Sequence, residues 1–446
     1  MRKNGIESDQ GAAVHQETST TRAERGLVYA FHFLPYHLDP RIEQFWSSLS
    51  ERLAHQGHQL VILSTTELMD KNLLYIQVPY NLPDYRGNEL SSESCPSHVS
   101  RSLENWYRCN PESAQLGWKV AEAFFKKIFS ETEPAAIISW QSVNPLSRLV
   151  RNLATTLDVP WWTLERGWFP NTLMLDTAEN NLMGEISRSL AVNRLLQKYQ
   201  SNKSLLVMLR EKWSNDNWSR YPADHSVSAE ISPSQDEFAV FFNHGRPFFE
   251  DLVPSSIARF HGISDEQLVN KLSRIAAYLG KRGIKLYIKE HPITKMVGRS
   301  PLANTVPGAQ DTNLPVEFLV KKSRYRLLTT SSIQFSLAIN KTRFGTLSSG
   351  FLTTNVAVPH LGVATDLDHF FREISDASDW SARWESIDRQ MSFLYENYML
   401  PIDSVAALEQ SCDELCGLLR PFLGAPQSNG FNFFKNFLSG NSIQGC

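Results

Sequence analysis

The sequence has no apolar run of about 18 residues, the length that a helix needs to cross a bilayer, so no membrane-spanning segment is expected. It also has no excess of either charge. The 44 Lys and Arg residues nearly balance the 47 Asp and Glu residues, and the formal net charge of the 446-residue chain is −3. A protein that binds nucleic acid through a large basic field is therefore not expected.

Cysteine is scarce, with 5 residues in the chain, among them Cys412 and Cys416. A sparse, odd-numbered set does not form a disulfide scaffold, and this pair lacks the second Cys or His pair that a zinc site needs. Residues 1–26 are polar, contain no apolar segment of the kind found in secretory signals, and have too few apolar residues to pack. We expect a disordered tail on a reduced, cytoplasmic protein.

Several short catalytic and cofactor motifs are also absent. The sequence contains no GxxxxGK[ST], GxGxxG, GxSxG, HExxH or paired CxxC. P-loop, standard dinucleotide-binding, α/β-hydrolase and zinc-enzyme interpretations therefore lose their main support. We expect no metal ion and no bound cofactor.

Strand and helix patterns alternate twice along the chain. The pattern predicts buried strands at 27–34, 58–64, 134–140 and 159–167, with helices at 41–57, 113–129 and 144–157 between them. The second alternation comprises strands at 237–242, 284–292 and 324–330, short strands near 343–348 and 355–359, and helices at 263–283 and 331–340. Further helices are expected near 366–374, 383–398 and 403–421. Such units form parallel sheets covered by helices.

We therefore predict an α/β fold of two facing Rossmann-like domains with closing helices at the C-terminus. The first domain is expected to span 27–225 and the second 236–365, while 366–446 would supply the closing helices and a tail. In such sheets ligands bind outside the carboxyl ends of the strands. The residues just after each strand are therefore the candidates for function.

Two acidic residues follow the last predicted strand of the first domain. Glu165 comes at its end and Asp176 follows in the same stretch, ERGWFPNTLMLD. Two carboxylates near one loop suit general acid–base or nucleophile roles. The alternative is that Glu165 caps a turn or pairs with Arg166, and that Asp176 is solvated.

Basic residues follow two strands of the second domain. His244 and Arg246 lie in a Gly- and Pro-containing turn after 237–242, where they can act on a proton or bind an anion. Lys289, His291 and Pro292 end the strand at 284–292, where a cation and an imidazole suit a phosphate. The alternative for His244 is a plain turn packed against the phenylalanines that follow it.

Hydroxyl groups precede the helix at 331–340. Ser331 and Ser332 end the run Thr-Thr-Ser-Ser, and hydroxyls with free N–H groups at a helix start bind phosphate. Ordinary N-capping by either serine is the alternative.

The order of these motifs resembles the capsule polysaccharide biosynthesis family, which includes bacterial β-Kdo transferases, and is similar to bacterial CMP-sialic acid transferases. The matching elements are E-x-G-W-x-P-x-T-x-x-x-D at 165–176, K-x-H-P at 289–292 and T-x-S-S at 329–332. The resemblance covers roughly residues 130–360 and implies the two-domain GT-B glycosyltransferase fold. One position departs from the family pattern: β-Kdo transferases commonly carry a second acid where Arg166 stands.

The resemblance further implies a sugar donor activated by a nucleotide, CMP-linked, held by the second domain. Lys289 and His291 would contact the CMP phosphate, and Ser331 and Ser332 would complete its site. Glu165 matches the acidic position of the family, with Asp176 as a second candidate because of the departure at Arg166. The acceptor would be a growing glycan or glycolipid of a capsule or surface polysaccharide at the inner face of the membrane.

The sequence also fits two other functions. One is a non-catalytic component of a capsule assembly complex that binds polysaccharide or sugar nucleotide. The other is an enzyme similar to the UDP-sugar epimerases, or a GT-B enzyme that uses UDP-sugars. The aromatic C-terminal segment 430–440 is a candidate contact with the membrane or a partner, although packing on the protein itself fits its low charge better.

Overall fold

The computed structural model describes residues 26–32, 40–64, 68, 70, 73–77, 97, 99–100, 103–104, 109–141, 144–176, 196–215, 237–244, 263–291, 300–348, 351–353, 358–362 and 366–423. Two sheets form the framework. The predicted tail at 1–26, apart from Gly26, and the aromatic segment at 430–440 lie outside these residues.

The first sheet has seven strands in the order β12-β6-β5-β4-β1-β2-β3. Its strands are β1 (Leu27–His32), β2 (Gln59–Ser64), β3 (Tyr75–Gln77), β4 (Ala136–Trp140), β5 (Trp161–Arg166), β6 (Thr172–Asp176) and β12 (Met399–Pro401). The helices that follow them in this half are α1 (Pro40–His55), α2 (Pro111–Thr132), α3 (Pro145–Thr156) and α4 (Lys203–Asn215). Strands β1 to β5 are parallel, whereas β6 is antiparallel to both of its neighbours.

The second sheet has five parallel strands in the order β11-β10-β7-β8-β9. They are β7 (Phe238–Phe242), β8 (Lys285–Lys289), β9 (Ala309–Asp311), β10 (Tyr325–Leu328) and β11 (Gly345–Thr346). The remaining helices are α5 (Asp265–Gly280), α6 (Val316–Lys322), α7 (Ile333–Ile339), α8 (Leu367–Ser375), α9 (Ala377–Tyr398) and α10 (Val405–Leu423). The predicted α/β fold of two Rossmann-like units with C-terminal helices is confirmed.

Local sequence explains where several helices begin. Asn110 and Asn144 cap α2 and α3 through their side chains, and a proline opens each helix, where the missing N–H costs nothing. The expected capping box of α5 is present: the backbone N–H of Gln267 donates to Ser264 Oγ at 3.2 Å, and that of Ser264 donates to Gln267 Oε1 at 3.1 Å.

Both faces of the first sheet are covered by helices. On one face α1 and α10 pack through buried residues such as Trp46 and Cys412. On the other face α2 and α3 pack against the aromatic residues of β1, with the rings of Phe31 and Phe125 5.5 Å apart. Burial on both faces explains why these strands are continuous apolar runs.

The C-terminal segment crosses from the second sheet back to the first. Helix α8 packs on the second sheet, and α9 packs against both α7 and α4. Then β12 pairs with β6, and α10 lies along α1. An ion pair between Arg52 and Asp413, at 2.6 Å, joins α1 to α10. Residues 399–423 therefore belong structurally to the first sheet.

Strand β6 is the main element that the sequence prediction missed. We predicted a strand with its exit loop at 159–167, two acids near one loop and no strand after it, but the chain turns after Arg166 and returns antiparallel to β5, with Glu165 opposite Met174 and Thr163 opposite Asp176. The apolar stretch Leu173–Leu175 is the signal that favours a strand here.

Candidate functional site

Each sheet has a topological switch point at its carboxyl edge. In the second sheet β7 lies between β8 and β10: the chain runs from β7 outward through β8 and β9, and then returns to β10 and β11 on the other side of β7. In the first sheet β1 lies in the same way between β2 and β4. Ligands of open α/β sheets bind at such switch points, so both edges are candidate sites.

His244 lies at the switch point of the second sheet. It follows β7 closely and is 6% exposed. Its Nδ1 atom lies 2.5 Å from Oγ1 of Thr329, which directly follows β10, so the two side chains share a hydrogen bond across the switch point. The backbone N–H of His244 donates to Asn243 Oδ1 at 3.1 Å. Thr329 was not selected from the sequence, although it opens the run of hydroxyl residues that was.

Glu290 is a second residue that the sequence analysis missed. Its carboxylate is 4% exposed and accepts hydrogen bonds from Asn243 Nδ2 at 2.8 Å and from the backbone N–H of Leu302 at 2.7 Å. These bonds join the ends of β7 and β8 to the 3-10 turn at Leu302–Thr305. Because a buried carboxylate needs such donors, Glu290 fixes the backbone between the half-buried residues Lys289 and His291.

Ser331 and Ser332 lie between β10 and α7, beside Thr329. Ser331 is half-buried and Ser332 is exposed. Ser332 occupies the N-cap position of α7, but its side chain makes no capping hydrogen bond. The alternative that the Ser332 hydroxyl group caps this helix is therefore wrong. The carboxyl edge of the second sheet therefore brings together His244, Thr329, His291 and these two serines on three adjacent strands.

Gln141 and Glu165 mark the carboxyl edge of the first sheet. Gln141 directly follows β4 and adopts a left-handed backbone with φ of 62°, which is uncommon for a residue with a side chain. Its Nε2 donates to Glu165 Oε1 at 3.3 Å. Glu165 is half-buried and lies near the end of β5. Backbone strain of this kind is often held at functional sites, and here it orients an amide toward the candidate carboxylate.

Asp176 is not in the loop where we expected it. It ends β6 opposite Thr163, and therefore lies further than Glu165 from the carboxyl end of β5. It is 5% exposed and accepts a hydrogen bond from the Tyr398 hydroxyl at the end of α9. The alternative of a solvated Asp176 is therefore wrong, and its contacts are those of a residue that joins β6 to α9.

The turn between β5 and β6 contacts the second half of the chain through two aromatic residues. The Trp168 ring stacks on the Phe335 ring of α7, with centroids 4.7 Å apart and planes at 10° to each other. The centroid of the Phe169 ring lies 6.0 Å from that of Phe335. Gly167 has no room for a side chain, because a Cβ there would overlap Thr172 Oγ1. Since Phe335 lies one helical turn after Ser332, this stack brings the Glu165 segment close to the serine segment.

His32 ends β1 at the switch point of the first sheet. It is wholly buried, both ring nitrogens lack a hydrogen-bond partner, and its ring lies 5.2 Å from that of Trp140. Burial, with a smaller contribution from the positive charge of Arg166, lowers the pKa of His32 to about 3. A neutral imidazole thus lies under the edge that carries Gln141.

Two predicted site residues, Arg246 and Pro292, lie outside the described residues, so their contacts are not part of this geometry. Among the residues that the structure describes, no group of three or more His, Cys, Asp or Glu side chains has an arrangement suited to a metal ion. Within the same residues, no helix has both the length and the apolar character needed to cross a bilayer.

No protein-family model matches the chain, and no curated protein sequence does. Solved structures similar in fold include KpsC of Thermosulfurimonas dismutans, described as a β-Kdo 2,7 transferase, at 11% identity and a TM-score of 0.39 over 71% of this chain and 95% of that one. MnaA of S. aureus with UDP is 11% identical, with a TM-score of 0.36, over 88% and 97% of the two chains. WaaG, a glycosyltransferase involved in lipopolysaccharide biosynthesis, is 7% identical, with a TM-score of 0.35, over 88% and 100%. The solved structures similar in fold thus include the β-Kdo transferases that the motifs resemble, and at these identities the likeness assigns no residue a role.

Proposed function

We propose that this protein is a glycosyltransferase that moves a sugar, Kdo or a similar one, from a CMP-activated donor to a glycan or glycolipid acceptor. The observation that carries this proposal is the polar carboxyl edge of the second sheet, where His244 and Thr329 bridge the switch point and His291 and Ser331 flank it. A nucleotide phosphate needs positive charge and hydrogen-bond donors, and this edge supplies both.

On the donor side, the leaving CMP phosphate would bind Lys289, His291, Ser331 and Ser332. His244 is held by Thr329 so that its imidazole stays at the switch point, where it would donate a proton or a hydrogen bond to the leaving oxygen. Glu290 positions this segment. Arg246 and Pro292 remain proposed donor ligands from the motif that they share with His244 and His291.

On the acceptor side, we assign Glu165 the catalytic role of base or nucleophile. Its support is the hydrogen bond from the strained Gln141 and its place beside the Trp168–Phe335 stack, which faces the donor half of the chain. Asp176 remains a second candidate carboxylate. Its burial and its bond from Tyr398 favour a positioning role, in which it holds β6 against α9.

The two halves of the chain would divide this work. Residues 27–225 would bind the acceptor, residues 236–365 the nucleotide sugar, and 366–446 would close the two together. Side-chain donors would take the place of a metal ion at the phosphate. The proposed setting is capsule or surface polysaccharide synthesis in the cytoplasm, with peripheral contact at the inner membrane through the segment 430–440 or through capsule assembly proteins.

A thermal-shift panel of CMP, UMP, UDP and GDP tests the nucleotide. A ligand that binds only the folded state stabilises it by about 2.7 kcal/mol at a hundred times its Kd. We expect CMP to raise the melting temperature of the wild type and to lose most of this effect in His291→Ala. His369→Ala is the matched control, because its side chain is 53% exposed on α8. Stabilisation by UDP alone would favour a UDP-sugar enzyme, and a CMP response unchanged by His291→Ala would refute the assigned phosphate site.

A further inference from the structure

A second polar cluster lies at the carboxyl end of β11, one strand beyond Thr329. Lys271, which α5 carries, donates from Nζ to the carbonyl oxygens of Leu347 at 2.7 Å and Leu361 at 2.5 Å. His360 Nδ1 lies 3.4 Å from Thr346 Oγ1, and the imidazole also bonds the backbone of Ser348. The cluster therefore joins an ammonium group, an imidazole and two hydroxyl residues at one strand end.

The positive charge of this cluster has no counter-ion among the described residues. Lys271 is half-buried and its ammonium group donates to two neutral carbonyl groups. Burial lowers the pKa of Lys271, and the nearby charge of Arg274 lowers it further. The pKa of His360 is lowered in the same way, by burial and then by the charge of Lys271. No salt bridge in the described part of the chain involves any of these three residues. A partly buried cation without a counter-ion favours the binding of an anion.

Ser348 supplies an independent sign of a missing ligand. Its side chain is 2% exposed and its Oγ atom has no hydrogen-bond partner. An unpaired buried hydroxyl group is costly, and a bound oxyanion would accept its hydrogen bond. The ammonium group of Lys271 uses two of its three N–H donors on the carbonyl groups, which leaves one for a ligand.

The position of the cluster identifies the part of the donor that it would meet. Neighbouring strands are about 4.8 Å apart, so the end of β11 lies about one strand spacing from Thr329. We propose that Lys271, Ser348 and His360 form an anion subsite of the donor pocket, which binds the negatively charged group attached beyond the first phosphate of the nucleotide. That group is the carboxylate of an acidic sugar or a second phosphate, and this placement rests on the proposed function.

Isothermal titration on wild type, Ser348→Ala and His360→Asn tests the subsite, with His369→Asn as the control. Pyrophosphate probes the anion site without a nucleotide, and we expect its affinity to fall about tenfold in both variants and to stay unchanged in the control. Lys271→Gln is a third variant, used only if its melting temperature shows that it folds, because Lys271 also holds two loop carbonyl groups.

Two comparisons of ligand affinity, made on the wild type and the same variants, identify the chemical group that the subsite binds. If the subsite binds a second phosphate, the wild type prefers CDP to CMP and both variants lose that preference. If it binds a carboxylate, the wild type prefers a CMP-activated acidic sugar to CMP, and the variants lose that preference instead. Either result supports the subsite, and a preference for CDP would also replace the proposed CMP-activated donor by a diphosphate-linked one.

Failure of the subsite and failure of the proposed function give different results. The subsite is overturned if the wild type binds no pyrophosphate, or if Ser348→Ala and His360→Asn change neither its affinity nor either preference, even when nucleotides bind at His291. If no nucleotide binds but pyrophosphate binding still depends on His360, the subsite stands and the glycosyltransferase proposal fails.

Discussion

Replacement of Glu165 by Gln is expected to reduce sugar transfer about 10²- to 10⁴-fold while the affinity for the donor nucleotide stays unchanged. The amide keeps the size of the side chain and can still meet Gln141, but it cannot act as a base or a nucleophile. The donor site lies on the other sheet, so the substitution leaves it intact. The measurement is CMP released from a CMP-activated sugar in the presence of an acceptor, together with titration of CMP.

Asp176→Asn is the matched comparison, because Asp176 is the second candidate carboxylate. It ends β6 and bonds Tyr398, so we expect its loss to lower stability and to change transfer far less than Glu165→Gln does. A Glu165→Gln enzyme with near-normal transfer beside an inactive Asp176→Asn enzyme of normal stability would reverse the two assignments.

Acidification is expected to destabilise the fold through His32. Its pKa is lowered to about 3 in the folded state by burial, from an ordinary value of 6.5, so between these values the unfolded chain binds the proton and the folded chain does not. The free energy of unfolding therefore falls as the pH falls through this window. The whole shift between the two pKa values corresponds to a loss of up to about 5 kcal/mol, of which about 2 kcal/mol is lost between about pH 6.5 and about pH 4.5.

Urea denaturation of wild type and His32→Phe at several pH values measures this effect. Phe keeps a ring against Trp140 but does not titrate, so the stability of the variant should fall less with acid, by about 2 kcal/mol over the narrower window. His55→Gln, at an exposed position at the end of α1, is the control and should follow the wild type. Parallel pH dependence in wild type and His32→Phe would show that His32 is not held neutral, and His32→Gln repeats the test if the larger ring does not fit.

The fold was largely predictable because its strands are buried on both faces. Continuous apolar runs such as 27–32 and 238–242 are distinct from the amphipathic helices between them, and residues such as Ser264 with Gln267 fix where a helix starts. β6 was missed because the Gly, Pro and Asn residues just before it are typical of a loop and outweighed the short apolar stretch Leu173–Leu175. The pairing of β12 with β6 depends on contacts more than 200 residues apart, since Leu400 lies opposite Leu173, and no local pattern reports them.

The candidate site was predictable only in part. Residues that end strands, such as His244 and His291, follow from the rule that ligands bind at the carboxyl edge. The roles of Glu290 and Gln141 do not follow from this rule. That of Glu290 depends on a buried hydrogen bond and that of Gln141 on a left-handed backbone, and only the folded chain shows these features. The aromatic pair Trp168 and Phe169 was read only as part of a motif, yet it joins the two halves of the chain.

The nucleotide is expected to bind at the carboxyl edge of the second sheet, and hydrogen exchange with and without CMP locates the bound nucleotide. Amides at 243–244, 289–291 and 329–332 should exchange more slowly when CMP is bound, and those of the first sheet at 139–141 and 163–166 should be unaffected. Slower exchange on CMP binding at the first-sheet amides, with unchanged exchange at those of the second sheet, would contradict this location of the nucleotide site.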